Sequence, residues 1–115
     1  MNAQLLRPLA LELPGALEQE HFGRPAFSVK KKIFCTWWVL EDRVVIKLTP
    51  EQQADWCADQ PDAFTPVLNK WGRHGWTNVH LNVVSERTLR YVLDRAWRNV
   101  CPKWLLPTRQ VPPRT

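Results

Sequence analysis

The chain has 115 residues and a formal charge of +5, enough for one hydrophobic core and too little for two. With 44% apolar and 23% charged residues it is not disordered in bulk, and no apolar run approaches the ~20 residues of a membrane-spanning helix. The positive balance favours acidic partners, and seven tryptophans in so short a chain raise the question of which ones a core can absorb.

Taken in chain order, a helix is predicted over Ala3–Leu11, with Leu5, Leu6 and Leu9 on one face, Asn2 as its cap and Pro8 kinking it. Leu13-Pro14-Gly15 stops that helix. Strands follow at 26–29 and 32–38 around a lysine-rich turn, then at 43–48 after Leu40-Glu41-Asp42. β-Branched and aromatic residues between polar turns read as an antiparallel meander. Trp37 and Trp38 are adjacent on a strand, so one faces inward and the other outward. Thr49-Pro50-Glu51-Gln52 starts a helix, with Thr49 as cap, Pro50 in the first position and Gln52 completing a capping box. It ends near Ala58, ahead of Pro61. Phe64–Leu68 reads as a strand held to an edge by Pro66. A loop over Asn69–Gly75 leads to a strand at Trp76–Val83. Ser85 caps the last helix, whose Leu89, Val92, Leu93, Ala96, Trp97 and Val100 share one face. Pro102 ends it.

The order is therefore α-β-β-β-α-β-β-α, one α+β domain with a mainly antiparallel sheet. Residues 1–103 are expected to form the domain. Residues 104–115, with Pro107, Pro112, Pro113 and scattered arginines, are expected to be a mobile tail. The predicted core contains Phe22, Phe27, Phe34, Ile46, Leu81, Leu93 and Trp97, in a monomer or weak dimer. Met1-Asn2-Ala3-Gln4 lacks a basic stretch followed by an apolar core, so no secretory signal is readable. Cys35, Cys57 and Cys101 cannot all pair with one another, and none belongs to a CxxC. Free thiols in the cytoplasm, with no membrane partner, are expected.

Nothing in the sequence carries catalysis. There is no GxSxG, no HExxH and no glycine-rich phosphate loop, and only four glycines in all. The histidines and cysteines are scattered, so neither a metal site nor a cofactor is expected. Cys35 and Cys101 lie in apolar patterns, and no base accompanies Cys57. The charge, in contrast, is segregated. Glu51, Asp55, Asp59 and Asp62 form an acidic block between a basic stretch holding Lys30, Lys31, Lys32 and Lys47 and another holding Lys70, Arg73 and His74. The lysine run sits in a hairpin turn, where it either guards a strand edge or contacts phosphates. Trp71 and Trp76 bracket the second basic loop, where an aromatic can support the turn or stack on a base. Along the last helix Glu86–Arg90, Arg90–Asp94 and Asp94–Arg98 have pairing spacing, which reads as a solvated face.

The ordered set Leu13-Pro14-Gly15, His21-Phe22-Gly23-Arg24-Pro25-Ala26-Phe27, Lys32-Ile33-Phe34, Ile46-Lys47-Leu48-Thr49-Pro50-Glu51 and Gly75-Trp76-Thr77-Asn78-Val79-His80-Leu81 resembles the MmcQ/YjbR family. The resemblance covers about residues 5–103. It implies a frataxin-like fold, with helices packed on one face of an antiparallel sheet, and DNA binding through paired β-hairpin wings. Lys32 and Lys47 match positions where that family typically has lysine, whereas Trp37, Trp38, Trp71 and the tail look peculiar to this chain. Iron binding of the frataxin type needs an acidic ridge, and the block at Glu51–Asp62 is too sparse for one. The resemblance carries over no catalytic residue.

The expectation is a small non-enzymatic protein that binds DNA or another polyanion through basic hairpin loops, using Lys30, Lys31, Lys32, Lys47, Lys70, Arg73 and His74. Trp76 supports the loop or stacks. The alternative is a regulatory module whose basic loops meet an acidic protein partner. Steep salt dependence of duplex binding distinguishes the first from the second.

Overall fold

The computed structural model describes residues 2–112. Asn2 accepts a hydrogen bond from the Gln4 N–H and caps a 3-10 turn, Ala3–Leu5, which passes into helix α1, Leu6–Leu11. Pro8 falls in the first turn of α1, where its missing N–H leaves no intrahelical bond unmade. Six strands follow: β1 (Ala16–His21), β2 (Arg24–Val29), β3 (Lys32–Trp38), β4 (Arg43–Lys47), β5 (Phe64–Pro66) and β6 (Trp76–His80). They form one antiparallel sheet in the order β1-β2-β3-β4-β6-β5.

β1 has no counterpart among the predicted strands. Its residues 17–20, Leu17-Glu18-Gln19-Glu20, are all exposed, and an edge strand without a buried face has no alternation to read. The opposite edge is β5, which stops at Pro66. There the missing N–H removes no inner ladder bond. β6 stops at His80, because the Val83 and Val84 N–H groups both turn back to the His80 carbonyl. The predicted loop before β6 contains a four-residue helix, α3 (Lys70–Arg73).

Helix α2 (Pro50–Asp59) opens with the expected capping box between Thr49 and Gln52. Helix α4 (Glu86–Val100) is capped by Ser85 and lies across β2, β3 and β4. The cross-strand register puts Phe27, Cys35 and Ile46 side by side on the face beneath α4, next to Val44, Val79 and Phe64. A bulge in the β2–β3 pairing inserts Phe34 as the extra residue, and both Phe34 and Cys35 are buried. Trp97 is fully buried, and its indole N–H donates to the Pro14 carbonyl at 2.9 Å. Trp37 points into this core and Trp38 away from it.

Three expectations fail here. Phe22 is not in the core: it is 84% exposed at the tip of the β1–β2 hairpin, because the unpredicted strand β1 turns the chain back there. The expected free tail does not begin at residue 104, since Lys103–Thr108 form a 3-10 helix with Leu105 buried; residues 113–115 lie outside the described residues. Asp94 is not on a solvated face. It is 0% exposed, and its carboxylate accepts from Arg98 at 2.7 Å and from Arg109 at 3.1 Å. Arg90 pairs instead with Glu12 and Glu86.

Candidate nucleic-acid interface

The register fixes where the two basic turns lie. Val29 pairs with Lys32 at the β2–β3 turn, and Lys47 pairs with Trp76 where β4 ends and β6 begins. Because β3 runs antiparallel to β4, both turns fall at the same end of the sheet. They stand two strands apart, about 10 Å at the usual interstrand spacing. Lys30 (φ 48) and Lys31 (φ 69) both occupy the left-handed region, as the central residues of a two-residue hairpin turn must when its twist matches the strands. Lys30, Lys31 and Lys32 are exposed, and the Lys30 amine lies 5.2 Å from the Trp104 ring.

The second turn is built rigidly. Asn69 caps α3 by accepting from the Trp71 N–H at 2.9 Å. Gly75, at φ +100, passes so close to the Leu48 carbonyl that any Cβ would sit 1.8 Å from its oxygen. The Gln53 side chain donates to the Gly72 and Trp76 carbonyls, both at 3.0 Å, tying α2 to the loop. Lys70, Arg73 and His74 are exposed on this frame. Lys47 behaves differently: its amine donates to the His74 carbonyl and lies 5.8 Å from the Trp76 ring. Burial also lowers its pKa from the ordinary lysine value. Lys47 and half-buried Trp76 thus brace the loop, while Lys30, Lys31, Lys32, Lys70 and Arg73 present charge to solvent with His74 exposed beside them. Every ion pair among the described residues is made by Arg7, Arg43, Arg90, Arg95, Arg98 or Arg109. None of the lysines at this end is neutralised by a described carboxylate.

On the sheet face opposite α4 lies a groove of about 780 Å³. Its floor includes Thr36 and Trp38 of β3, Val45 of β4, and Asn78 and His80 of β6. Phe22 stands on one rim, Leu68 and Trp71 on the other. Arg24 of β2 and Arg43 of β4 close on Trp38 from the two neighbouring strands, their guanidinium carbons 3.5 and 4.3 Å from its ring centroid. No carboxylate lines the groove. The sequence reading missed Phe22, Arg24 and Trp38 as site residues, and weighed Trp71 for stacking but carried only Trp76 forward. The readable signal was an aromatic beside Gly23 in a turn, where a core phenylalanine is out of place.

The arrangement offers charge and flat rings rather than a reacting group. Burial pushes the Cys35, Cys57 and Cys101 thiols above their ordinary value, the opposite of an activated thiolate. Among the described residues no cluster of three His, Cys, Asp or Glu could hold a metal ion, and no helix is long and apolar enough to cross a membrane.

Comparison with known proteins agrees with the fold. No curated protein matches the chain. Among solved structures, the crystal structure of Deinococcus radiodurans protein DR2400, with a DUF419 domain, is similar at a TM-score of 0.75 and 24% identity. The likeness covers 86% of this chain and 78% of that one, and at such identity it is one of fold. The sheet order, the helices on one face and a match over residues 11–99 agree: the chain belongs to the YjbR family.

Proposed function

We propose that the protein binds DNA without enzymatic chemistry, the phosphates meeting the lysine-rich end of the sheet. The observation that supports this reading is the meeting of two basic turns at one end, with no described carboxylate paired to any of their lysines. Each phosphate neutralised by a lysine releases condensed counterions, giving affinity that is steep in salt and indifferent to sequence. Lys30, Lys31, Lys32, Lys70, Arg73 and His74 make these contacts, and Lys47 and Trp76 hold the second turn in place. The free thiols support a reducing compartment, the cytoplasm.

The test is fluorescence anisotropy of a labelled mixed-sequence duplex between about 50 and about 200 mM salt. The triple change Lys30→Asn, Lys31→Gly and Lys32→Gln removes three charges, and Asn-Gly is the preferred pair for this turn type, so the hairpin is kept. The reading predicts weaker binding and a slope of log affinity against log salt flatter by ~2–3. An unchanged slope makes the lysines edge guards and leaves the reading without support.

A further inference from the structure

We infer that the groove on the open sheet face is a stacking slot for the unpaired bases of single-stranded DNA, with Phe22 and Trp71 as its two base-contacting rings. The inference rests on the DNA-binding reading above and adds which form of the polymer is held.

Four observations converge on this occupant. First, the two rims carry rings left open to a ligand. Trp71 is 54% exposed, and among the described residues no ring or cation stacks on it. Phe22 meets the His21 ring in a T-shaped arrangement, with centroids 4.5 Å apart, and no other described ring pairs with it. Phe22 also holds φ 52, a left-handed conformation that is costly for a bulky residue and cheap for Asn or Gly.

Second, the charge is complementary to a polyanion. Arg24 has no ion pair with a described residue, and it lies at the groove beside Arg43, His21 and His80, with no carboxylate in the lining. Third, the groove is continuous with the lysine end, because Trp71 on its rim lies between Lys70 and Arg73 on the same helix. A strand whose phosphates lie on Lys70 and Arg73 delivers its bases to the Trp71 ring. The volume is in the range of sites that hold flat organic groups.

Fourth, much of the floor's hydrogen bonding runs between its own side chains. The Asn78 side chain accepts from Arg43 at 2.5 Å and donates to Thr65 at 3.2 Å. Thr36 accepts from the Trp38 indole at 3.1 Å, and His80 Nε2 lies 3.1 Å from the Thr65 hydroxyl. A floor bonded within itself has few free groups with which to read base edges. Stacking, by contrast, tolerates any base and suits an apolar floor of Ile33 and Val45. Duplex DNA keeps its bases paired and offers these rings nothing.

The experiment compares three labelled probes of about 12 nucleotides: a thymidine strand, a uridine RNA strand and a mixed-sequence duplex. Each is titrated against the wild type, Phe22→Asn, Trp71→Ala and the control Leu40→Ala, an exposed apolar residue outside the groove. Asn suits the left-handed turn better than Phe, and Ala suits α3, so both variants fold. The expected result is a loss of about 5- to 150-fold on the thymidine strand for each groove variant. Duplex affinity and the control stay unchanged. If the wild type binds DNA but the two variants keep single-strand affinity, or lose equally on strand and duplex, the slot is refuted while the phosphate reading stands. Tighter binding of the RNA strand overturns the assignment to DNA. A wild type that binds no probe overturns the DNA reading itself.

Discussion

Trp97 closes the core from the last turn of α4, fully buried and tied by its indole to the Pro14 carbonyl. Trp97→Ala should cost on the order of 3–5 kcal/mol, a large part of the 5–15 kcal/mol typical of a domain. An unchanged denaturant midpoint would contradict its place in the core. Cys35 has a pH signature of its own. Burial raises its thiol far above the ordinary 9.0, so above that pH the unfolded chain releases a proton that the folded chain keeps. Its contribution to stability is complete below about pH 9 and declines above it, by at most ~1.4 kcal/mol per pH unit. Cys57 and Cys101 shift in the same direction, and Lys47, with its lowered pKa, works against them. Cys35→Ala should therefore flatten the fall of the denaturant midpoint between about pH 8 and about pH 10. An equally steep fall would show that another group carries it. At this scale the sequence was legible where periodicity decides, as at Trp97 and Ile46. Phe22 was misread as core because its place depends on a turn, not on alternation.

Elements with a local code could be read directly. α2 carries its own start signal in Thr49, Pro50 and Gln52, and α4 its amphipathic stripe. Pro66 announced an edge strand. β1 and the 3-10 helix at Lys103–Thr108 lack such a code, because each is held by what lies across from it. β1 is fixed by pairing with β2 and by Arg7, which donates to Glu18 at 2.7 Å. The C-terminal segment is fixed by buried Leu105 and by Asp94, whose carboxylate gathers Arg98 and Arg109 from two elements. The Arg98 guanidinium also donates to the Arg109 carbonyl at 2.8 Å. Removing the charge of Asp94 leaves Arg98, Arg109 and the more distant Arg95 facing a neutral group. Breaking a buried pair of this kind costs ~3–5 kcal/mol. Asp94→Asn should lower stability by about that much and release the segment after Pro102, making Lys103 and Arg109 early sites of limited trypsin cleavage. A variant that is destabilised but cleaved no faster there would mean the segment is held by Leu105 alone.

At the scale of the whole molecule the two sheet faces divide the work. One face is sealed by α1, α2 and α4 into a single core, giving a radius of gyration of 12.9 Å, close to the ~13 Å of a compact chain this long. The other face is left to Trp38, its flanking arginines and the groove. The charge segregation visible in the sequence becomes a placement in space. Glu51, Asp55 and Asp59 lie exposed on α2, while the lysines of both turns gather at one end. The sequence named the basic residues but could not say that they share an end, since that follows from cross-strand register. It named the aromatic-rich loop but favoured Trp76, which braces, over Trp71, which is exposed. The arginines of α4, charged as they are, are largely spent on ion pairs with Asp94, Glu86 and Glu12. They therefore offer less to a polyanion than the lysine end does.

The most direct measurement is a backbone and indole NMR titration of the intact chain with a short DNA strand and a duplex of the same length. The account predicts perturbations at Lys30, Lys31, Lys32, Lys70 and Arg73 with both ligands, joined by Phe22 and the Trp71 indole with the single strand alone. Perturbations confined to Arg87, Arg95 and Arg98 on α4, or none at all, would contradict it.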